Sequence, residues 1–147
     1  MTSKLDRTEA DVLLRDAGVG TLALTDGTEA YSIPESFGYD GETLYFQFVY
    51  TEESKKMAFL ETTDRATLTV CTEDPARSVL VQGSVEPVPE DDEIEAAAAI
   101  AENASIPTLN VYPDAAPEDR SMDYYRLTPA EISGRGFQDG TSAPIDP

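Results

Sequence analysis

The stretch Thr43-Leu-Tyr-Phe-Gln-Phe-Val-Tyr-Thr-Glu-Glu-Ser-Lys-Lys-Met-Ala-Phe-Leu60 decides the fold, because it changes from a strand-like to a helix-like pattern within a few residues. Aromatic and β-branched residues fill its first half, which predicts a strand ending near Tyr50. Met57, Phe59 and Leu60 in the second half have spacings compatible with a short amphipathic helix. We expect that helix to end at about Thr62.

Two of the three lysines in the chain, Lys55 and Lys56, stand at the start of this predicted helix. Unpaired backbone N–H groups and the positive end of the helix dipole gather at such a place, so anions bind there and lysine is mildly unfavourable. A bound phosphate would resolve that conflict. The alternative is that two solvated lysines pair with acidic neighbours, and the residues alone leave both interpretations open. Those neighbours are Glu52, Glu53 and Glu61.

The flanking segments predict further antiparallel strands. Asp26-Gly27 and Asp40-Gly41 lie between apolar runs and are strong hairpin signals, so residues 19–25, the stretch to Tyr39 and residues 43–50 should form a three-stranded meander. Two more strands are predicted at residues 65–72 and 78–88, the second with a bulge or bend at Gly83. A final strand fits residues 122–128, with an extension through Ile132.

Two further helices are expected. Thr8-Glu-Ala-Asp11 has the spacing of a capping box, and Gly18 marks the end of the helix that it would open. An acid-rich start at residues 89–93 opens the other helix, whose small side chains would let it lie close against a sheet or a partner. Its predicted apolar side comprises Ile94, Ala97, Ala98, Ile100 and Ala101.

Six antiparallel strands joined by short hairpins, with too little helix to cover both faces of an open sheet, predict a mainly β protein: a small barrel with helices at its ends. The length of 147 residues suits one domain. We expect that domain to cover residues 1–135, with a proline-marked connection at 106–120 and a flexible tail at 136–147.

Composition limits the function. A net charge of −19, from 29 acidic and 10 basic residues, leaves no basic surface for nucleic acid or an anionic membrane. It suits a halophilic protein in a salt-rich cytoplasm.

No apolar run approaches the roughly 18 residues of a membrane span, and no signal-peptide pattern is present, so a soluble cytoplasmic protein is expected. One cysteine and no histidine exclude a zinc site or a Ser-His-Asp triad within one chain. Cys71 should be a buried core thiol.

Tyr45-Phe-Gln-Phe followed by Glu53-Ser-Lys-Lys56 resembles the strand and Ser-Arg-Lys turn of the pyridoxamine 5′-phosphate oxidase-like, FMN-binding split-barrel family. The order of elements agrees over residues 5–135, and the strand Ser78-Val-Leu-Val-Gln-Gly-Ser-Val-Glu follows in the expected place. The resemblance implies a six-stranded antiparallel split barrel with flanking helices. It also implies a homodimer with FMN at the subunit interface.

The resemblance also implies the cofactor-binding residues. Lys55 and Lys56 would contact the flavin phosphate with Ser54 as an additional donor, and lysine in the first place exchanges a bidentate fork for a point charge. Flavin contacts from strand backbone fall on Ser32, Ile33 and Pro34, where Pro34 lacks an N–H. Further contacts fall on Gln47 and Phe48, and on Ser78 across the dimer interface.

Departures from the family pattern argue against authentic pyridoxamine phosphate oxidase activity. The C-terminal substrate Arg and His of those enzymes have no full counterpart, because Ile132-Ser-Gly-Arg-Gly-Phe137 contains no histidine. The leading expectation is therefore a flavin-dependent oxidoreductase on an unidentified small molecule, with no obligatory catalytic acid or base. One alternative is a reductase that binds deazaflavin F420 with help from Arg77, Arg120 and Arg135. The other is a cofactor-free dimer with an interaction or storage role.

Overall fold

The computed structural model describes residues 2–103 and 121–137. All eight strands in these ranges belong to one antiparallel sheet with the order β3-β2-β6-β7-β8-β5-β4, and β1 pairs with β8. The elements in chain order are β1 (Thr2–Lys4), α1 (Arg7–Ala17), β2 (Val19–Thr25), β3 (Ala30–Ser36), β4 (Gly38–Tyr39), β5 (Leu44–Tyr50), α2 (Lys55–Thr62), β6 (Ala66–Glu73), β7 (Ala76–Pro87), α3 (Glu93–Asn103) and β8 (Ser121–Phe137).

The fold is mainly β and is the predicted split barrel: a curled antiparallel sheet whose concave side holds the core. The long strand β8 carries the curl, since it pairs with β7 along one edge and with β5 and then β1 along the other. The predicted bulge at Gly83 is confirmed by a register shift between Gln82 and Gly83. Gly83 packs against the backbone of β8 at Thr128.

Eight strands replace the predicted six, because β1 was not predicted and because residues 30–39 change partner part-way. The first part of this segment, β3, pairs with β2, whereas Gly38 and Tyr39 pair with β5. Phe37 stands between the two parts with its side chain fully buried. The three-strand meander is therefore right in its two hairpins, but the middle segment divides itself between the two ends of the sheet.

Helix α1 begins earlier than predicted. Its capping box is formed by Asp6, whose carboxylate accepts from the Glu9 N–H at 2.8 Å, and Glu9, whose carboxylate accepts from the Asp6 N–H at 3.0 Å. Asp11, the residue expected in that role, instead accepts hydrogen bonds from Arg7 and Tyr39. The predicted end is correct, since Gly18 caps the helix at φ 69°, a conformation that glycine adopts readily.

Helix α3 lies close against the sheet, as its small residues predict, but with a different face. Ala96 and Ala99 are buried, whereas Ile94 from the predicted apolar side is 83% exposed. The close approach is visible at Gly38, where a Cβ would stand 2.3 Å from the Ala99 carbonyl carbon. Fit to this narrow space, rather than side-chain hydrophobicity, selects the buried face.

The remaining predictions concern the burial of Cys71, the length of the last strand, and the segments at 106–120 and 136–147. Cys71 is exposed, so its predicted burial is wrong: alternation along β6 turns Val70 inward and Cys71 outward. Strand β8 is longer than predicted and includes Gly136 and Phe137. The expected connection at 106–120 and residues 138–147 of the expected tail lie outside the described residues. None of the helices described is long and apolar enough to cross a membrane.

Candidate functional site

The turn between β5 and α2 sets the position of the two lysines. Ser54 is the N-cap of α2, with its Oγ accepting a hydrogen bond from the Met57 N–H at 3.3 Å. The Ser54 N–H donates to the Thr51 carbonyl at 3.1 Å, which closes the turn before the helix. The predicted helix is thus confirmed, and Lys55 and Lys56 occupy its first two positions.

Lys56 is a buried cation with a buried partner. Its Nζ lies 2.8 Å from Glu35 Oε2 in β3 and 4.6 Å from the ring centre of Phe48. The side chains of Lys56 and Glu35 are only 8% and 14% exposed. The alternative of two solvated lysines is therefore wrong for Lys56, since its partner is none of Glu52, Glu53 and Glu61.

The environment of Glu35 disfavours its charged form. Burial raises the pKa of this carboxyl above its usual value, and the neighbouring Lys56 ammonium opposes that shift. Each charge of this ion pair therefore compensates for the burial of the other. Removing one partner would leave an uncompensated buried charge.

The side chain of Lys55 lies in a different environment from that of Lys56. The residue is exposed, and its Nζ lies 5.2 Å from the ring centre of Tyr31 and 5.8 Å from that of Phe59. These two rings stack on each other with their centres 5.1 Å apart. In the part of the chain that the structure describes, Lys55 makes no ion pair, so its charge is available to an anion.

A groove of about 260 Å³ opens between β3 and the start of α2, and we call it the β3–α2 groove. It brings together five of the residues predicted to bind a cofactor: Ile33, Pro34, Ser54, Lys55 and Lys56. Tyr31 and Glu35 complete the lining. The sequence analysis singled out neither residue. Glu35 could have been noticed, because it places a carboxylate on the same face of the strand as Ile33.

Within the described sheet, β3 pairs with β2 alone, so its other edge is open. Residues of β3 also line the groove, next to this open edge. The Phe37 N–H donates to the Gly18 carbonyl, so the odd-numbered residues of β3 direct their backbone groups to β2. Ser32 and Pro34 therefore direct theirs to the open edge. Pro34 has no N–H to offer, which also protects this edge from pairing with another strand.

The remaining predicted residues lie elsewhere in the chain. Gln47 is half-buried on β5 opposite Tyr124, and Phe48 is fully buried beneath Lys56. Ser78 lies on the outer face of the sheet opposite Cys71. Within one chain, none of these three lines the groove.

The family model for pyridoxamine 5′-phosphate oxidase matches residues 6–136. The chain therefore belongs to this family. No curated protein matches the chain.

Solved structures share the fold over nearly the whole chain. A candidate pyridoxamine 5′-phosphate oxidase from Corynebacterium glutamicum is 26% identical with a TM-score of 0.70, over 95% of this chain and 100% of that one. An FAD-binding protein from Mesorhizobium loti is 19% identical with a TM-score of 0.74, over 94% and 99%. An FAD-binding protein from Mycobacterium smegmatis is 23% identical with a TM-score of 0.71, over 94% and 100%.

Proposed function

We propose that the chain binds a flavin in the β3–α2 groove and acts as a flavin-dependent oxidoreductase on an unidentified small molecule. FMN is the cofactor that the family resemblance implies. The observation that carries the proposal is the meeting of Lys55, a cation without an ion pair among the described residues, with the N-terminus of α2 and the open edge of β3. Similar structures from two bacteria are those of FAD-binding proteins, which supports a flavin over other anions.

The residues of the groove fit the phosphate end of a flavin nucleotide. Lys55 supplies a charge, and the first N–H groups of α2 supply donors at the positive end of the helix dipole. The Ser54 hydroxyl is a further polar group in the lining. For Lys56 we propose a role other than the expected phosphate contact, because its ammonium donates to Glu35 and so links α2 to β3.

The backbone of β3 fits the polar edge of a flavin ring. Ser32 directs an N–H and a carbonyl to the open edge, where Pro34 directs a carbonyl alone. A bound flavin supplies its own redox chemistry, so the chain has to bind and orient it and exclude water. Lack of histidine is compatible with this role and argues against authentic pyridoxamine phosphate oxidase activity.

We further propose a homodimer that completes the site. At about 260 Å³ the groove is smaller than the roughly 300–1,000 Å³ typical of ligand pockets, so a second chain would supply the rest. The central part of the outer face, on β2, β6 and β7, is a suitable contact surface, because its side chains are uncharged in a chain of net charge −19. It comprises Thr21, Ala23, Thr67, Thr69, Cys71, Ser78, Leu80 and Gln82. Ser78, expected to contact flavin across the interface, lies on this face.

Titration of the purified chain in molar KCl, followed by flavin fluorescence, tests the proposal. We expect saturable quenching near one FMN per chain, and sedimentation of the same sample as a dimer. Lys55→Ala should weaken FMN binding about tenfold or more, because a charge-assisted phosphate contact contributes about 1.5–3 kcal/mol. Riboflavin, which lacks the phosphate, should bind both proteins equally.

Lys4→Ala is the matched control, since Lys4 is exposed on β1 and pairs there with Arg135, away from the groove. It should bind FMN as the wild type does. Absence of any flavin binding by a folded chain, as judged by circular dichroism, would contradict the proposal and favour a cofactor-free interaction or storage dimer. Binding of F420 alone would identify a deazaflavin reductase.

A further inference from the structure

The charged side chains that one chain contributes to the β3–α2 groove do not match the charge of FMN. Two lysines and one glutamate line the groove, so their net charge is a single positive one. The terminal phosphate of FMN is a monoester with a second pKa of about 6, and it carries close to two negative charges at neutral pH. A phosphate esterified on both sides carries one.

Lys56 cannot leave Glu35 to neutralise a second negative charge on a phosphate without a cost in free energy. Its Nζ is 2.8 Å from Glu35, and both side chains are almost fully buried. Moving the ammonium to a ligand would leave the Glu35 carboxylate buried and unpaired, which is strongly unfavourable. Lys55 therefore remains the cation that is free to meet the phosphate.

Glu35 also contributes its carboxylate to the groove. It lines the groove, and only its Oε2 is hydrogen-bonded among the described residues. A second negative charge on a phosphate would be repelled by this carboxylate, and the described lining of one chain offers it no further cation. A phosphodiester avoids both penalties.

We propose that Glu35 is a specificity-determining residue that tunes the groove to the monoanionic phosphodiester of a larger flavin nucleotide rather than to the dianionic phosphate of FMN. The inference rests on the proposed function, since it assumes that the groove takes the phosphate of a flavin. F420 carries one such phosphodiester, whereas FAD carries two linked phosphates with one negative charge on each. The feature that Glu35 selects is a single negative charge on the phosphate nearest the ring.

Three ligands with the same ring separate phosphate charge from other effects: riboflavin, FMN and the methyl ester of FMN, compared at about pH 8 where FMN is a dianion. We expect the wild-type chain to bind the methyl ester at least as tightly as FMN. Glu35→Gln removes the carboxylate charge and keeps an oxygen that can accept from Lys56. It should shift the ratio of the two dissociation constants about tenfold in favour of FMN.

The double variant Glu35→Leu with Lys56→Met is the matched control. It removes both charges of the buried pair and leaves the net charge of the groove unchanged, so it should keep the wild-type ratio. The wild-type ratio tests the inference even if a variant fails to fold. Parallel titrations with F420 and FAD then identify which of these two larger cofactors the chain takes.

Clear results would overturn the inference. FMN binding to the wild type much more tightly than its methyl ester would show that the groove accepts the dianion in spite of Glu35. An unchanged ratio in a folded Glu35→Gln variant would have the same meaning. Both outcomes leave the flavin proposal intact, whereas absence of binding by every flavin would refute the proposed function and this inference together.

Discussion

The ion pair between Glu35 and Lys56 is expected to contribute to specificity more than to stability. Removing both charges in the Glu35→Leu, Lys56→Met variant should leave the free energy of unfolding unchanged or raise it by about 1–4 kcal/mol, since neither ion then loses its hydration. Lys56→Met alone should lower it by about 3–5 kcal/mol, because Glu35 stays buried without a partner. Urea denaturation in molar KCl measures both changes.

The exposed neighbour gives the control for this prediction. Lys55→Met should change the free energy of unfolding by no more than about 0.5 kcal/mol, as is usual at exposed positions. A large loss in the double variant would contradict the prediction, because it would mean that the pair stabilises the fold beyond what apolar packing achieves.

The same pair should make stability depend on pH in a defined direction. Burial raises the pKa of Glu35 in the folded chain, so the folded state binds this proton more tightly than the unfolded state does. The Glu35 contribution to stability therefore falls as pH rises from the ordinary glutamate pKa of about 4.3 towards the raised value. The advantage of the double variant over the wild type should be smaller near that ordinary pKa than at neutral pH. An advantage that shrank as pH rose would contradict this assignment.

Single residues show what sequence reasoning could reach. The N-cap at Ser54 and the adjacent lysines are local features, and the helix that they open could be predicted from them. The partner of Lys56 could not, because Glu35 is 21 residues away on another element. Burial by the tertiary fold, which no local pattern reveals, gives two adjacent lysines different roles.

At the scale of elements, the contact between β4 and α3 is expected to tolerate no added side chain. A Cβ at Gly38 would lie 2.3 Å from the Ala99 carbonyl carbon and 2.4 Å from the Ile100 nitrogen, and both are backbone atoms of α3. Gly38→Ala should therefore displace the helix and lower the free energy of unfolding by about 1–3 kcal/mol. Chemical denaturation of the two proteins measures the loss.

Gly136→Ala provides a matched control in β8. A Cβ there would meet its nearest neighbours at 3.4 Å, which is ordinary contact, so stability should change by about 0.5 kcal/mol at most. Equal effects of the two substitutions would indicate that loss of glycine itself, and not the close approach of α3, determines the result.

The elements also show why part of the fold was predictable. Hairpins at Asp26-Gly27 and Asp40-Gly41 carry local turn chemistry, and both form as expected. The division of residues 30–39 between two strand partners depends on how the sheet closes, which lies beyond any hairpin signal. The buried face of α3 was missed for a similar reason, since the run of alanines in the middle of this helix has no marked polar side to define its orientation.

At the scale of the whole molecule, the surface proposed to contact a second chain holds uncharged side chains and is bordered by charged ones. The uncharged side chains are continuous across β2, β6 and β7, whereas Glu73 and Glu131 lie at the borders and other exposed acidic residues, such as Glu29 and Glu42, lie near turns. In the proposed dimer, this arrangement would let two highly acidic chains meet mainly through uncharged side chains. The acidic residues elsewhere in each chain still repel one another, and salt reduces this repulsion.

We therefore expect the chain to be markedly more stable in molar KCl than in dilute buffer. Screening shortens the range of charge repulsion from about 30 Å at 0.01 M salt to about 3 Å at 1 M, so a net charge of −19 should lower the thermal unfolding midpoint mainly at low salt. A variant with Glu29→Gln, Glu42→Gln and Glu73→Gln carries three fewer negative charges at exposed positions that make no ion pair in the described part of the chain. Its midpoint should exceed that of the wild type in dilute buffer and approach it in molar KCl. Equal wild-type midpoints in the two solutions would refute the proposal of a protein adapted to a salt-rich cytoplasm.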